Sequence, residues 1–385
     1  MREYLLVFLV GVAVCSCLTP ACRSLALRTG AVAKVRNRDV HQQATPYFGG
    51  LAMLGGLAAA CLVATRMPFL SRYQQVSSDS LAVLVAAAVI CAIGVIDDLF
   101  ELNALMKIAG QVLAAGILVL FKVRMEWLPW RGGIITLDPA ASVLITVFVV
   151  FLCANAINIV DGLDGLAAGI VAISTSAFFI YAYWLTVEES LARATTAAFI
   201  TVAMCGICIG YLPYNFHPAK IFMGDSGAML LGLLFAASTI SLTGQIDPNV
   251  LNDRSGLLAT YIPLVMPLIA LGLPFLDMFV AYTRRTWQGV WWFVADKQHL
   301  HHRLLQRGHS HLGAVMMMYA WTALLAYSAM LLGLYPSPVT EAIVVAAVLA
   351  TLAFVILTGR KTSVDQHVSR HAAPADQPQP VKEHS

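Results

Sequence analysis

Eleven apolar runs long enough to cross a bilayer follow one another along this chain, at about 3–22, 47–65, 80–96, 104–121, 139–157, 165–186, 194–211, 226–243, 256–281, 312–334 and 338–358. The hydrocarbon thickness asks roughly 17–25 apolar residues of a spanning helix. Lipid also requires every backbone N–H and C=O to be paired internally, so runs of this length form helices. Charged residues are only 12% of 385 and hydrophobic ones 59%, about half the charge of a water-soluble chain. The expectation is an all-α polytopic integral membrane protein with about 11 transmembrane helices. Residues 1–358 form one membrane domain, and 359–385 form a Pro-, Gln-, His- and Ala-rich cytoplasmic tail read as disordered. The first run lacks a cleavable small-x-small site followed by a soluble domain, and is read as a span.

Lysine and arginine orient the spans. The loop after the first run carries Arg23, Arg28, Lys34, Arg36 and Arg38; the loop after the ninth carries Arg284, Arg285, Lys297, Arg303 and Arg307; the tail adds Arg360, Lys361, Arg370 and Lys382. Loops of the other parity are sparser. Positive-inside bias therefore puts odd-numbered loops and the C-terminus in the cytoplasm and the N-terminus outside. The net charge of +3 gives no reason to expect a nucleic-acid partner. All eight cysteines lie in or beside apolar runs, where they read as small buried hydrophobes.

Against this background, three acidic breaks stand out: Asp97-Asp98, then Asn158-x-x-Asp161-x-x-Asp164, then Asp225. Ionisable groups at membrane depth are costly and mark functional sites by default. The topology puts all three breaks, and the histidines of 299–302, on the cytoplasmic side. Adjacent Asp97 and Asp98 raise each other's pKa unless a cation intervenes, and Lys107, one turn into the fourth span, is available to relieve them. The three-residue spacing of Asn158, Asp161 and Asp164 stacks them on one side of a helical turn; the bland alternative makes Asp164 the N-cap of the sixth helix. Asp225 directly precedes a span, where it either caps the helix or holds Mg²⁺, an ion that takes one or two carboxylates and completes its shell with substrate phosphate. Lys220 can meet a phosphate as a point charge. The segment 282–311 mixes Trp287, Trp291, Trp292 and Phe293 with cations, as in a helix lying among headgroups. There His299, His301, His302 and Arg303 read as a phosphate-binding group, with zinc as the alternative. The ninth run carries Pro263, Pro267 and Pro274 and is read as kinked, with Asp277 pairing Arg284 or Arg285.

The strings VIDDL, NAINIVDGLDGLAAG, NFHPAKIFMGDSG and DKQHLHHRLLQRG, in that order at helix ends, closely resemble the polyprenyl-phosphate N-acetylhexosamine-1-phosphate transferases of glycosyltransferase family 4. The branch they look like makes undecaprenyl-diphospho-GlcNAc. The resemblance covers His41 to His311 and implies a Mg²⁺-dependent enzyme (Mn²⁺ as the alternative ion). Such an enzyme transfers HexNAc-1-phosphate, above all GlcNAc-1-phosphate, from a UDP-sugar to undecaprenyl or another polyprenyl phosphate, at the cytoplasmic face of a bacterial inner membrane. That reaction is the first membrane step of a cell-surface glycan. Its implied residues are Asp225 as metal ligand; Asp97, Asp98, Lys107, Asp161 and Asp164 in catalysis; and Asn158, Asn215, Phe222, His301 and His302 at the substrates. The chemistry of the residues themselves adds Lys220, His299 and Arg303 at the substrates and Asp98 as a second candidate metal ligand. One of Asp97 and Asp98 is the base on the lipid phosphate, and a homodimer is open. The branch using phospho-MurNAc-pentapeptide usually shows three consecutive histidines where this chain reads His-Leu-His-His-Arg. The string TPYFGG at 45–50 matches the family's first-loop motif only in part, which bears on Gln43 and Thr45. The alternatives are a muropeptide donor and, in a different class, an ion-coupled transporter, which predicts acids near mid-bilayer and an inverted repeat.

Overall fold

Lipid gives apolar helices no hydrophobic reason to associate, so close packing of small residues and internal hydrogen bonds must hold them. The structure is a computed structural model describing residues 1–33, 44–72, 74–130, 133–188, 194–244, 268–287, 289, 304–305 and 308–351. Its elements are α1 (Arg2–Thr29), α2 (Gly49–Ala64), α3 (Pro68–Arg72), α4 (Gln74–Phe100), α5 (Ala104–Leu120), β1 (Trp127–Trp130), β2 (Gly133–Thr136), α6 (Pro139–Val160), α7 (Leu166–Val187), α8 (Ala194–Asn215), α9 (Gly224–Thr239), α10 (Gly272–Trp287), α11 (His311–Leu334) and α12 (Pro338–Thr351). Among the described residues seven helices are long and apolar enough to cross a membrane, and α2, α5 and α12 are shorter apolar helices. The protein is a multi-pass helical membrane protein.

The strut of the bundle is α9, which continues into a wide turn at Ile240–Gly244. Its apolar window is wholly buried and it packs against α2, α4, α6 and α8. In contrast α1 exposes Leu5, Leu6, Leu9, Leu18, Leu25 and Leu27, the composition of a face meeting lipid tails. The two ends of the bundle differ in chemistry. At one end the Glu3 carboxylate accepts the backbone N–H groups of Phe69 (2.8 Å) and Leu70 (2.9 Å) and so caps α3. At the other end Ala26 and Phe48 pack with Val95, two residues before Asp97, and this end collects the acidic breaks.

The elements depart from expectation in four places. The chain is not purely helical: Trp127–Trp130 and Gly133–Thr136 form an antiparallel hairpin with Trp127 opposite Thr136 and Leu128 opposite Ile135. Aromatic and β-branched residues favour a pleated pair there, a signal too short to register in a span-length window. Helix α1 runs past Pro20 to Thr29 and ends at Gly30 with φ 75°. A proline removes one intrahelical bond, which a long membrane helix tolerates, so Arg23 and Arg28 lie on helix rather than loop. Likewise α10 extends to Trp287 and carries Arg284 and Arg285 in its last turn. Finally, the N-cap of α7 is Gly165, not Asp164. Most of the expected ninth span, the segment 291–303 and the tail lie outside the described residues. All eight cysteines are free thiols.

The contact of α4 with α9 depends on Gly94. A Cβ there would lie 2.5 Å from Ser226 N and 2.8 Å from Asp225 C, closer than any side-chain movement can relieve. Gly94→Ala should therefore destabilise the protein by about 1–3 kcal/mol, the usual cost of overpacking, and depress function by displacing Asp225. Gly116→Ala, where a Cβ meets nothing within 4 Å, should leave thermal unfolding in detergent unchanged or slightly raised. Equal melting temperatures for Gly94→Ala and the parent would refute this account.

Candidate active site

Residues adjacent on an α-helix point about 100° apart, and this separates the two aspartates of the first acidic break. Both lie in the last turn of α4. Asp98 faces α9: its Oδ1 accepts the N–H of Asp225 at 2.8 Å and its Oδ2 that of Ser226 at 3.4 Å. A carboxylate placed there satisfies orphan donors and meets the positive end of the helix dipole. The approach needs Gly224, which has φ 68° and where a Cβ would lie 2.5 Å from Asp98 Oδ2. Thus Asp98 has both oxygens engaged by backbone amides.

Asp97 faces α5 instead. Its Oδ2 lies 2.5 Å from Lys107 Nζ, and the same ammonium lies 2.5 Å from Asp225 Oδ2. Asp97 Oδ1 accepts the N–H of Leu102 at 2.7 Å. From α6, Asn158 Nδ2 donates to Asp225 Oδ1 at 2.8 Å. Four helices (α4, α5, α6 and α9) therefore each place one side chain in a single network. Lys107 is one-third exposed while Asp97 is buried, so the network opens outward at its lysine. One turn deeper, Asn155 Nδ2 donates to Gln111 Oε1 at 3.1 Å, and Gln111 Nε2 reaches Met229 Sδ at 3.6 Å. Asn155 was not singled out in the sequence, although its place three residues before Asn158 signals it.

The second acidic break does not stack as its spacing suggests, because α6 ends at Val160 and the chain turns through Gly162 and Gly165. Asn158 goes to Asp225, while Asp164 Oδ2 meets His217 Nδ1 at 2.7 Å and the N–H of Ala219 at 3.1 Å. Asn215 is buried and uses both ends of its amide on the backbone, accepting from Gly165 N and donating to Ile221 O, each at 3.0 Å. Tyr319 of α11 donates to Gly165 O. The loop before α9 is stitched to α2 through Gly49 N–Phe222 O, Gly50 N–Met223 O and Phe222 N–Pro46 O. Phe222 packs on Tyr47 and Lys220 is exposed. His217 and His311 stack with ring centroids 4.1 Å apart. Their pairing spans 94 positions, so no local spacing announces it. His299, His301, His302 and Arg303 lie outside the described residues.

A model of glycosyl transferase family 4 matches residues 80–243, the stretch holding every network residue named above. A decaprenyl-phosphate N-acetylglucosaminephosphotransferase of Mycobacterium tuberculosis (strain ATCC 25618 / H37Rv) is 43% identical over 333 residues, covering 86% of this chain and 82% of that protein. The chain belongs to glycosyl transferase family 4. Within it, the chain is one of the polyprenyl-phosphate N-acetylhexosamine-1-phosphate transferases. A Bacillus subtilis (strain 168) family 4 relative, named a probable undecaprenyl-phosphate N-acetylglucosaminyl 1-phosphate transferase, is 32% identical over 339 residues, 86% of each chain. A phospho-N-acetylmuramoyl-pentapeptide-transferase of Mycobacterium bovis (strain BCG / Pasteur 1173P2) is 32% identical over 289 residues, which cover 65% of this chain.

In this family 4 transferase Lys107 bridges Asp97 and Asp225, and the charge of Asp225 in turn acts on Asp98 and Asp161, an excess of negative charge. Asp161, in the turn beyond α6, feels it most: burial first, and then the charges of Asp225, Asp98 and Asp164, push its carboxyl from 3.8 up to about 8. Such an all-oxygen, acid-rich set fits a hard divalent cation. Asp225 and Asp161 could hold one once Asp225 exchanges Lys107 or Asn158, which now occupy its two oxygens; Asp98 is engaged in the same way, by two amides of α9. A carboxyl raised in the fold holds its proton more tightly there than when unfolded. It favours the fold at low pH, and that contribution is lost as pH rises through about 8. In metal-free protein the melting temperature should therefore fall between pH 5 and 8, and Asp161→Asn should flatten that slope. An identical slope in both proteins would remove Asp161 as its source.

Proposed function

We propose that the protein transfers N-acetylglucosamine-1-phosphate from UDP-GlcNAc to a polyprenyl phosphate, releasing UMP and leaving polyprenyl-diphospho-GlcNAc. The observation that carries this reading is the bridge from Lys107 to Asp97 and Asp225, with Asn158 on the same Asp225. It sets one ammonium, two carboxylates and one amide, each from a different helix, at one end of the membrane bundle. The relatives' names supply the substrate classes: decaprenyl phosphate in one, undecaprenyl phosphate in another, GlcNAc in both. The pentapeptide transferase matches less of the chain. We assign this end to the cytoplasmic face of a bacterial inner membrane, with eleven spans, the N-terminus outside and the C-terminus inside, on the distribution of Lys and Arg. Acids gathered at one end rather than near mid-bilayer speak against an ion pathway.

The chemistry asks two phosphates to meet, so charge must be managed and a proton removed. Asp98 has both oxygens held by backbone amides, whereas Asp97 has only Oδ1 so held, by Leu102, and turns Oδ2 to a flexible, partly exposed lysine. Asp97 is thus the carboxylate able to exchange a partner for the lipid phosphate and take its proton. The freed phosphate oxygen attacks the β-phosphorus of the donor. The bond from that phosphorus to the oxygen bridging the α-phosphorus breaks, and UMP leaves with the electron pair. Lys107 meets phosphate oxygens as a point charge, and Asn158 keeps Asp225 oriented. Mg²⁺ held by Asp225 and Asp161 would supply neutralisation of the donor's pyrophosphate.

Purified protein given polyprenyl phosphate, UDP-GlcNAc and Mg²⁺ should release UMP, and should prefer that donor over UDP-MurNAc-pentapeptide by at least about tenfold. Asp225→Ala and Lys107→Met should each lower kcat/KM by about 100-fold or more. Undiminished turnover in Asp225→Ala would sink the metal assignment, and a preference for the pentapeptide donor would sink the sugar assignment.

A further inference from the structure

One ring nitrogen each from His217 and His311 and one carboxylate oxygen of Asp164 lie within 4.8 Å of one another. None of the three belongs to the network around Lys107. They come from separate connections: the turn between α6 and α7, the loop between α8 and α9, and the first residue of α11. From this geometry we propose a second metal site, for a divalent transition ion of the zinc type.

Two imidazoles and one carboxylate are the donor set of three-ligand zinc sites, which leave a fourth position to water or substrate. Imidazole suits zinc-like ions and not Mg²⁺, which prefers oxygen, so the two sites sort their ions by chemistry. Tetrahedral zinc bonds of about 2.0–2.1 Å space neighbouring ligand atoms by about 3.3 Å. The Asp164–His217 pair, now 2.7 Å apart, would open by roughly half an ångström, and the two rings, now stacked with planes 20° apart, would turn about their side-chain torsions to aim one nitrogen each at the ion. His217 is half exposed and Asp164 nearly buried, so an ion can enter from the surface and find a partly desolvated carboxylate. Among the described residues the buried Nδ1 of His311 has no hydrogen-bond partner, an orphan that a coordinating ion or its bound water would satisfy. The N–H of Ala219, which already donates to Asp164 Oδ2, provides the outer hydrogen bond that orients a ligating carboxylate. Bound there, the ion would fasten three connections of one face together.

The full-length protein, purified in detergent, stripped with chelator and dialysed against Zn²⁺, should retain about one zinc per chain by elemental analysis. Loading with Co²⁺ should give the visible bands of a four-coordinate ion. Zn²⁺ should raise the melting temperature by a few degrees. The variants His217→Ala and His311→Ala should each lose the retained ion, the Co²⁺ bands and the thermal shift, while Asp225→Asn keeps all three. Retention by the His217→Ala/His311→Ala double variant would place the ion elsewhere and overturn the assignment, as would no retention by the parent. Each variant is checked against the zinc-stripped parent by gel filtration and melting, so a misfolded variant is recognised and replaced by the glutamine version. Because metal content is read without turnover, failure here leaves the transferase reading untouched, and the reverse.

Discussion

The site rests on one ammonium group. Lys107 lies 2.5 Å from a carboxylate oxygen of Asp97 and 2.5 Å from one of Asp225. Without it the two acids would face each other in surroundings where like charges are poorly screened. The bridge thereby fixes the spacing of α4, α5 and α9, and Asn158 adds α6. Because the lysine is partly exposed, the arrangement that holds the helices together opens outward at its cation, which is where the proposed reaction would bring a phosphate.

Such a bridge works only if the helices already stand close. Small residues set that distance: Gly94 lets α4 touch the start of α9, and Gly224 lets Asp98 reach its first amides. Asp98 then plays a different part from its neighbour, fastening the helix start that carries Asp225. The acidic end of the bundle is thus a set of helix termini, each needing polar partners that lipid does not offer. The acid of the lysine bridge and the acid that caps α9 are drawn from the same Asp97-Asp98 break for that reason.

Much of this was legible in the sequence. Span lengths follow from hydrocarbon thickness, and ten of the expected apolar runs correspond to helices among the described residues, with α10 overlapping the end of the ninth. Lys107, Asn158 and Asp225 could be singled out as polar residues next to apolar runs, and they meet. The hairpin at 127–136 could not, since four-residue strands leave no trace in a window as long as a span. The spacing of Asn158, Asp161 and Asp164 misled because a three-residue period implies a shared face only while the helix continues, and α6 stops at Val160. Asn215, which the family resemblance implies at the substrates, is buried and spends both ends of its amide on the loops at Gly165 and Ile221, partners that no local spacing announces.

By itself the sequence determined that the chain spans a membrane many times, that its acids cluster at helix ends, and which family those strings resemble. These are local properties, set by hydropathy over one helix length and by side-chain chemistry within a few residues. The tertiary structure alone decided which carboxylate meets which partner. Asp97 and Asp98 are neighbours in sequence but serve different helices, while Lys107 and Asp225 are 118 positions apart and touch. Helical phase turns adjacent residues away from each other, and helix packing brings distant ones together. Neither can be read from spacing along one segment.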